Sequence, residues 1–405
     1  MATELSQKAS FWVAAGIVAH TLWTSAAPAM AYPLYSAQWH LTPTITTTIF
    51  AIYPIVVVAT LITFGDLSDH IGPRMTMLYG LMASIAGVFL FAIARDVWML
   101  FVGRVFMGLG VGLSAGPSTA ALVDYAGKDA TERASSMTIS GQAVGFAASL
   151  LVGGLLIQYA PFPTHLSFLV LLFLLVILGG LTYFLPRDTN AMSGQWKLRL
   201  PRVERSLRRP FIVSAITVMT AYTHGVTVGS LGSQFARELV QSSNVFVNSV
   251  ALSLFGISLG ITGLLSRRAD PSKAAILGTV ISIGAMVLLA GAAIFRSLAL
   301  FIAMAAASGT GYALMVYGGL AIITGVTPKD VRGGVLSGVF LFAYLFTGIL
   351  AVILGKIATL SDLAHAAFAE VLVMSALCLA TLILLVAYAR REPLSPPSET
   401  CATKA

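Results

Sequence analysis

Gly65-Asp66-Leu67-Ser68-Asp69-His70-Ile71-Gly72-Pro73-Arg74 forms a polar island between two apolar runs, residues 44–64 and 75–94. Each flanking run has the ~20 residues a helix needs to cross the hydrocarbon core of a bilayer. An apolar helix, a short charged turn and a second apolar helix make a membrane hairpin. Gly65 lets two helix ends approach closely, and Gly72 permits a sharp turn. Asp69 carries a charge suited to the positive N-terminal end of a neighbouring helix.

The same alternation extends through the chain in both directions. Of 405 residues, 57% are apolar and only 10% charged, against roughly a quarter charged in soluble domains. This excludes a soluble enzyme with one anchor. Long unbroken apolar runs also exclude an outer-membrane barrel, whose strands alternate polar and apolar over ~10 residues. Hydropathy and breakers place twelve spans near 10–34, 44–64, 75–94, 97–125, 136–159, 166–185, 210–232, 245–265, 274–295, 297–325, 334–355 and 365–389. Ala29-Met30-Ala31 imitates a signal-peptide cleavage site, but Glu4 offsets Lys8 and the apolar run continues to Tyr35, so the segment reads as a first span. The expected fold is therefore an all-α polytopic membrane protein. Its expected division is a six-helix half at 1–185, a basic linker at 186–209, a second six-helix half at 210–389 and a polar tail at 390–405.

Charge placement orients the chain. Of 24 basic residues, 19 fall in the termini and alternate loops that include Arg74, Arg133, Arg267 and Arg332. Only Arg95, Arg237, Arg296 and Lys356 fall on the other side, and Arg104 lies inside a span. The positive-inside rule then puts both termini in the cytoplasm. The net charge of +8 is accounted for by these loops, so no nucleic-acid partner is inferred. The linker, with seven basic residues and two acids, reads as a topology-setting segment or as an amphipathic helix on anionic lipid. Cys378 and Cys401 imply no disulfide framework.

Gly65, Leu67, Asp69, Gly72 and Arg74 resemble the signature loop G-x-L-x-D-x-x-G-R-R of the major facilitator superfamily, and they occupy its place between spans two and three. His70 and Pro73 depart from that pattern. A second element, Gly103-Arg104-Val105-Phe106-Met107-Gly108-Leu109-Gly110-Val111-Gly112, resembles the family's R-x-x-x-G-x-G-x-G in span four. The resemblance implies twelve helices in two pseudo-symmetric halves, the major facilitator fold. It also implies that Asp69 docks on span eleven, which begins Arg332-Gly333-Gly334, to latch the outward-open state; Asp66 belongs to the same loop. Arg104 would couple protons or hold helices near the substrate path, since a buried arginine costs ~2.5–3.5 kcal/mol to insert and faces protein or water. In span five the Gly-Pro pair of proton-exchanging exporters is replaced by Ser149 and Leu150, so the antiporter element is partial.

The two halves should also match each other. An offset of 204 residues overlays His20 on His224, Arg104 on Ser308 and Gly108 on Tyr312. In the family fold spans 1, 4, 7 and 10 line a central cavity, so His20 and His224 are expected to face one another across it. There they would act as proton relays or anion ligands, with a structural bond to a neighbouring helix as the alternative. Other cavity candidates are Trp23, Gln142, Tyr222, Asn248, Tyr312, Tyr317 and Tyr344, because rings with a polar tip suit a mixed pocket. Among the acids only Asp124 and Glu370 enter the spans, both near their ends. With no mid-span carboxylate in span one, coupling would fall to His20, His224, Asp124 or Arg104.

The expected function is secondary transport of small organic molecules by alternating access, as efflux of drug-like or metabolic compounds from the bacterial inner membrane, with protons as the candidate coupling ion. The alternative is an organic-anion or metabolite carrier using Arg104 and the histidines as counter-charges. Neither requires a cofactor or metal, and a monomer is expected. No H-E-x-x-H spacing and no paired buried carboxylates point to an enzyme.

Overall fold

The computed structural model describes residues 4–127, 130–186, 204–328 and 331–390. The expected linker falls largely outside them and the tail almost wholly so, as does Lys128. Twelve long helices are formed by the described residues: α1 (Gln7–Ala26), α2 (Pro43–Phe64), α3 (Pro73–Ala92), α4 (Val97–Tyr125), α5 (Ala130–Tyr159), α6 (Leu166–Tyr183), α7 (Arg205–Leu239), α8 (Val245–Leu265), α9 (Pro271–Phe295), α10 (Leu298–Val326), α11 (Arg332–Leu360) and α12 (Leu363–Ala389). Eleven are long and apolar enough to cross a membrane. The twelfth, α1, is diluted by Gln7, Lys8, His20 and four hydroxyl residues, yet it packs against α4 and α5 within the bundle.

Two boundaries differ most from the sequence expectation. The first span does not run unbroken to 34: α1 stops at Ala26, residues 27–31 form turns around Pro28, and a short helix follows at Tyr32–Trp39. A proline ring cannot donate to the preceding turn, which explains the break. The seventh span does not stop at 232. It continues to Leu239 through two wide π turns, Thr227–Leu231 and Phe235–Leu239.

Helices α1–α6 pack as one group and α7–α12 as a second, joined mainly where α2 meets α11 and α5 meets α8. The halves repeat in detail. A Cβ on Gly108 would lie 2.9 Å from the Tyr53 carbonyl oxygen on α2, and one on Gly309 would fall on the Phe255 carbonyl of α8. Each glycine thus lets the fourth helix of its half touch the backbone of the second. The matching register between α4 and α10 is 201 residues, so Gly108 pairs with Gly309. The pairing with Tyr312, and of Arg104 with Ser308, expected from an ungapped offset of 204, is not observed, because loop lengths differ between the halves.

The polar island is a short helix, Leu67–Ile71, ended by Gly72 at φ +83°, a conformation open to glycine and strained for other residues. The Arg74 guanidinium closes back on the end of α6, donating to the Leu185 carbonyl at 3.1 Å and lying 5.1 Å from the Tyr183 ring centre.

Candidate functional site

Between the halves lies a cavity of about 980 Å³. On α10 its lining residues are Tyr312, Val316, Leu320 and Thr324, with Ala313, Tyr317 and Ala321 beside them. On α4 they are Val111, Ala115, Thr119 and Val123. A repeat of four residues places each set along one helix face. The lining runs almost to the ends of these helices that lie beside the polar island, called here the near face. Toward the opposite, far face it stops well short of the ends of α2, α5 and α8, at Phe50, Phe146 and Phe255, and on α1 it ends at Ala26, where that helix breaks. The cavity is a funnel open at the near face.

The far end is sealed by neutral hydrogen bonds between halves. Ser233 donates to the Ala29 carbonyl at 2.7 Å, and the Gln234 amide to the Thr46 hydroxyl at 3.5 Å. The Val245 amide donates to Gln158 at 2.8 Å, and the Thr44 hydroxyl to the Gly355 carbonyl at 3.2 Å. At the near face Asp69 is exposed, and among the described residues no group on α11 donates to its carboxylate. Arg332 donates instead to the Thr324 and Thr327 carbonyls, at 3.1 and 3.2 Å. One near-face bond joins the halves among the described residues, from Arg267 to the Ser136 hydroxyl.

The chamber's wall is aromatic. Tyr222 packs against Tyr312 at 5.5 Å between ring centres and edge-on against Tyr344 at 4.9 Å. Phe255 meets Tyr312 at 5.5 Å and Phe146 at 5.3 Å, carrying the ring cluster across the two halves. Among the described lining residues none is Asp, Glu, Lys, Arg or His. Gln142, Tyr222, Tyr312, Tyr317 and Tyr344 all lie on this wall. Tyr317 is partly committed elsewhere, its hydroxyl donating to the Arg267 and Ala269 carbonyls at 3.1 and 2.9 Å.

Several candidates lie elsewhere. His20 and His224 do not face each other: each turns away from the cavity toward the third helix of its own half. His20 Nε2 meets the Ser84 hydroxyl at 3.4 Å, and His224 Nε2 meets the Ser282 hydroxyl at 3.0 Å. A buried imidazole needs a polar partner, and a serine on the adjacent helix supplies it in both halves. Trp23 packs into the apolar core, and Asn248 donates to the Ser242 carbonyl at 3.0 Å beside the far-face turn. Asp124 lies near the end of α4 and is absent from the cavity wall.

Arg104 is fully buried and also sits behind the wall. It donates to the Ser25 carbonyl at 3.0 Å and to the Ile49 carbonyl at 3.4 Å, and lies 4.6 Å from the Tyr53 ring centre. The α1 break explains the first contact: the Ala29 amide bonds to Ala26, leaving Ser25 without that helical partner. Arg104→Leu is expected to destabilise the folded protein by roughly 2–4 kcal/mol, since bonds from a charged donor contribute ~1.5–3 kcal/mol each. Cargo affinity of the folded fraction should stay within about threefold. Thermal melting and ligand binding on one preparation check both.

Sequence reasoning missed Tyr53, Phe50, Phe146 and Phe255, which line the chamber beside the expected tyrosines. Their signal was weak, because aromatic side chains in apolar spans also face lipid. No group of three or more His, Cys, Asp or Glu side chains is gathered for a metal among the described residues.

Residues 12–295 match the sequence profile of the Major Facilitator Superfamily. The chain belongs to that superfamily. Among curated relatives, the Multidrug resistance protein MdtH of Cronobacter sakazakii (strain ATCC BAA-894) is 29% identical over 166 residues, 39% of this chain and 38% of that protein. The Sugar transport protein 1 of Arabidopsis thaliana is 32% identical over 72 residues, 18% of this chain and 14% of that one. These matches thus span well under half of either relative. Among solved structures, the nucleoside transporter NupG superposes with a TM-score of 0.74 at 16% identity, covering 94% of this chain and 99% of NupG. A POT family transporter in complex with 5-aminolevulinic acid also gives 0.74, at 12% identity, covering 94% and 96%. At such identities the superpositions show the fold alone, an all-helical bundle shared over 94% of this chain.

Proposed function

We propose that this transporter exports lipophilic, uncharged or weakly charged organic molecules from the cytoplasm across a bacterial inner membrane, in exchange for protons. The observation that carries the reading is the large aromatic chamber whose described wall holds no ionised side chain. A charged cargo entering such a chamber would lose water without gaining a counter-ion. An organic-anion carrier would need Arg104 or the histidines on the wall, and they lie behind it. The name of the MdtH relative points the same way.

In this reading the near face, with its basic loops, is cytoplasmic and the present conformation is inward-open. Asp69 is then free of its latch because the halves have parted at that end; it docks on α11 when they close. The transporter works as a monomer.

The test is transport by proteoliposomes together with a thermal-shift screen of neutral aromatic compounds and small organic anions. A ligand at ~100 times its dissociation constant adds ~2.7 kcal/mol of stability. Neutral aromatics should stabilise the protein and move from the near-face side outward, faster with an opposing proton gradient. Stabilisation by the anions alone overturns the reading.

A further inference from the structure

The seam between α7 and α12 holds a feature that the transport reading leaves unused. The two helices run antiparallel and meet along a polar ladder: Thr220 bonds to Thr381 at 2.9 Å, Thr223 to the Met374 sulfur, and Thr227 to Glu370. Glu370 is fully buried. The Thr227 hydroxyl donates to its Oε1, and Oε2 has no hydrogen-bond partner. A serine or glutamine would complete this ladder without a titratable group. A charged carboxylate inside a span is costly, and such residues mark ion pathways.

Its position is as telling as its chemistry. Thr227 is the first residue of the first π turn of α7, and wide turns inside α-helices recur at functional sites. Between that turn and the second, at Phe235–Leu239, stand Ser233 and Gln234, the side chains that seal the far face against Ala29 and Thr46. The buried acid therefore holds the base of the helical segment that carries the gate.

We propose that Glu370 is a proton-binding site whose occupancy closes the far gate. The proposal rests on the alternating-access exchange with protons set out above, and supplies its site. When the far side is open, water reaches the carboxylate and a hydronium ion gives one proton to Oε2 and leaves as water, forming the neutral acid. The neutral group can be buried without a counter-ion, so α7 packs on α12 and Ser233 and Gln234 reach their partners. Ionised Glu370 resists that burial and holds the gate open.

Other titratable groups on the packed elements do not offer it a partner. Arg237 and Glu238 on α7, Lys356 on α11, Arg296 at the end of α9, and Asp362 with His365 at the start of α12 are all exposed. His224 turns to Ser282 on α9, and Cys378 lies two turns along α12. Lys273 on α9, Arg332 and Tyr344 on α11, Arg205, Arg208, Arg209 and Tyr222 on α7, and Tyr388 and Arg390 at the end of α12 lie farther toward the near face.

The test is double electron–electron resonance on full-length protein, with spin labels at Gln38→Cys and Ser243→Cys in a Cys378→Ala/Cys401→Ser background. Both label sites are exposed at the far face, one in each half. Between about pH 5 and about pH 9, where buried carboxylates titrate, the short distance should give way to a longer one as pH rises. Glu370→Gln should hold the short distance at every pH. Thr227→Val removes the hydroxyl that favours the charged form, so its midpoint should move to higher pH. A pH response that persists in Glu370→Gln, or an unmoved midpoint in Thr227→Val, overturns the proposal. The exposed Asp362–His365 pair is intact in both variants and serves as the internal control. No cargo is present, so failure here leaves the export reading standing, and failure of export leaves these distances unchanged.

Discussion

Gly309→Ala is expected to remove the folded transporter from detergent extracts, whereas Gly284→Ala should be tolerated. The new Cβ at 309 would fall on the Phe255 carbonyl, with the Phe255 Cα also within 2.9 Å. Both are backbone atoms of α8 and cannot swing aside as a flexible side chain would. The helices must separate, breaking the Phe255–Tyr312 contact and the wall of the chamber. Overpacking a tight core costs ~1–3 kcal/mol, and a clash against backbone belongs at the upper end or beyond. Gly284, on α9, has nothing within 4 Å of its added Cβ, and alanine there gains up to ~1 kcal/mol of helix propensity. Fluorescence-detected size exclusion after graded heating reads both variants. Equal melting of the two would mean that the α8–α10 contact is looser than described.

Tyr222→Ala is expected to weaken binding of a lipophilic cargo by about 10- to 100-fold, or ~1.4–2.8 kcal/mol. The ring bridges Tyr312 and Tyr344, so its loss removes direct contact and leaves two neighbours without their packing partner. Aromatic pairs contribute ~0.5–1.5 kcal/mol beyond their buried area. His20→Gln and His224→Gln should change the same affinity by less than about threefold, because neither side chain reaches the cavity. Their cost should appear in melting temperature, where the bonds to Ser84 and Ser282 are altered. Equilibrium binding across the three variants decides the matter. A large loss in either histidine variant with Tyr222→Ala unaffected would move the binding site to the α1–α3 and α7–α9 junctions.

The contrast between Tyr222 and His224 shows what a sequence can and cannot reveal here. Both lie on α7, two residues apart, and both combine a ring with a polar atom. Two residues turn a helix by about 200°, so the two side chains leave on nearly opposite sides. In a soluble helix a polar stripe would tell which side faces water. In a span both the lipid face and the helix contacts are apolar, and the stripe fades. Placing both histidines at the cavity followed from the matched position of their helices, and the rotation about the helix axis reversed it. Glu370 was legible only as an acid near a helix end; its meeting with Thr227 joins residues 143 apart in the chain.

The sequence by itself determined the class, the number of spans and the family. Apolar run length against bilayer thickness, and the loop at Gly65–Arg74, are local properties that need no folding to read. It also determined why Gly72 stands at its turn, since only the backbone's positive φ matters there. The tertiary structure alone decided which side chains form the chamber, which face is open and which polar groups are spent on neighbouring helices. Those outcomes depend on helix rotation and on contacts between distant segments, because within a bilayer the lipid face and most helix contacts are both apolar, so a helix's sequence does not say which face it buries.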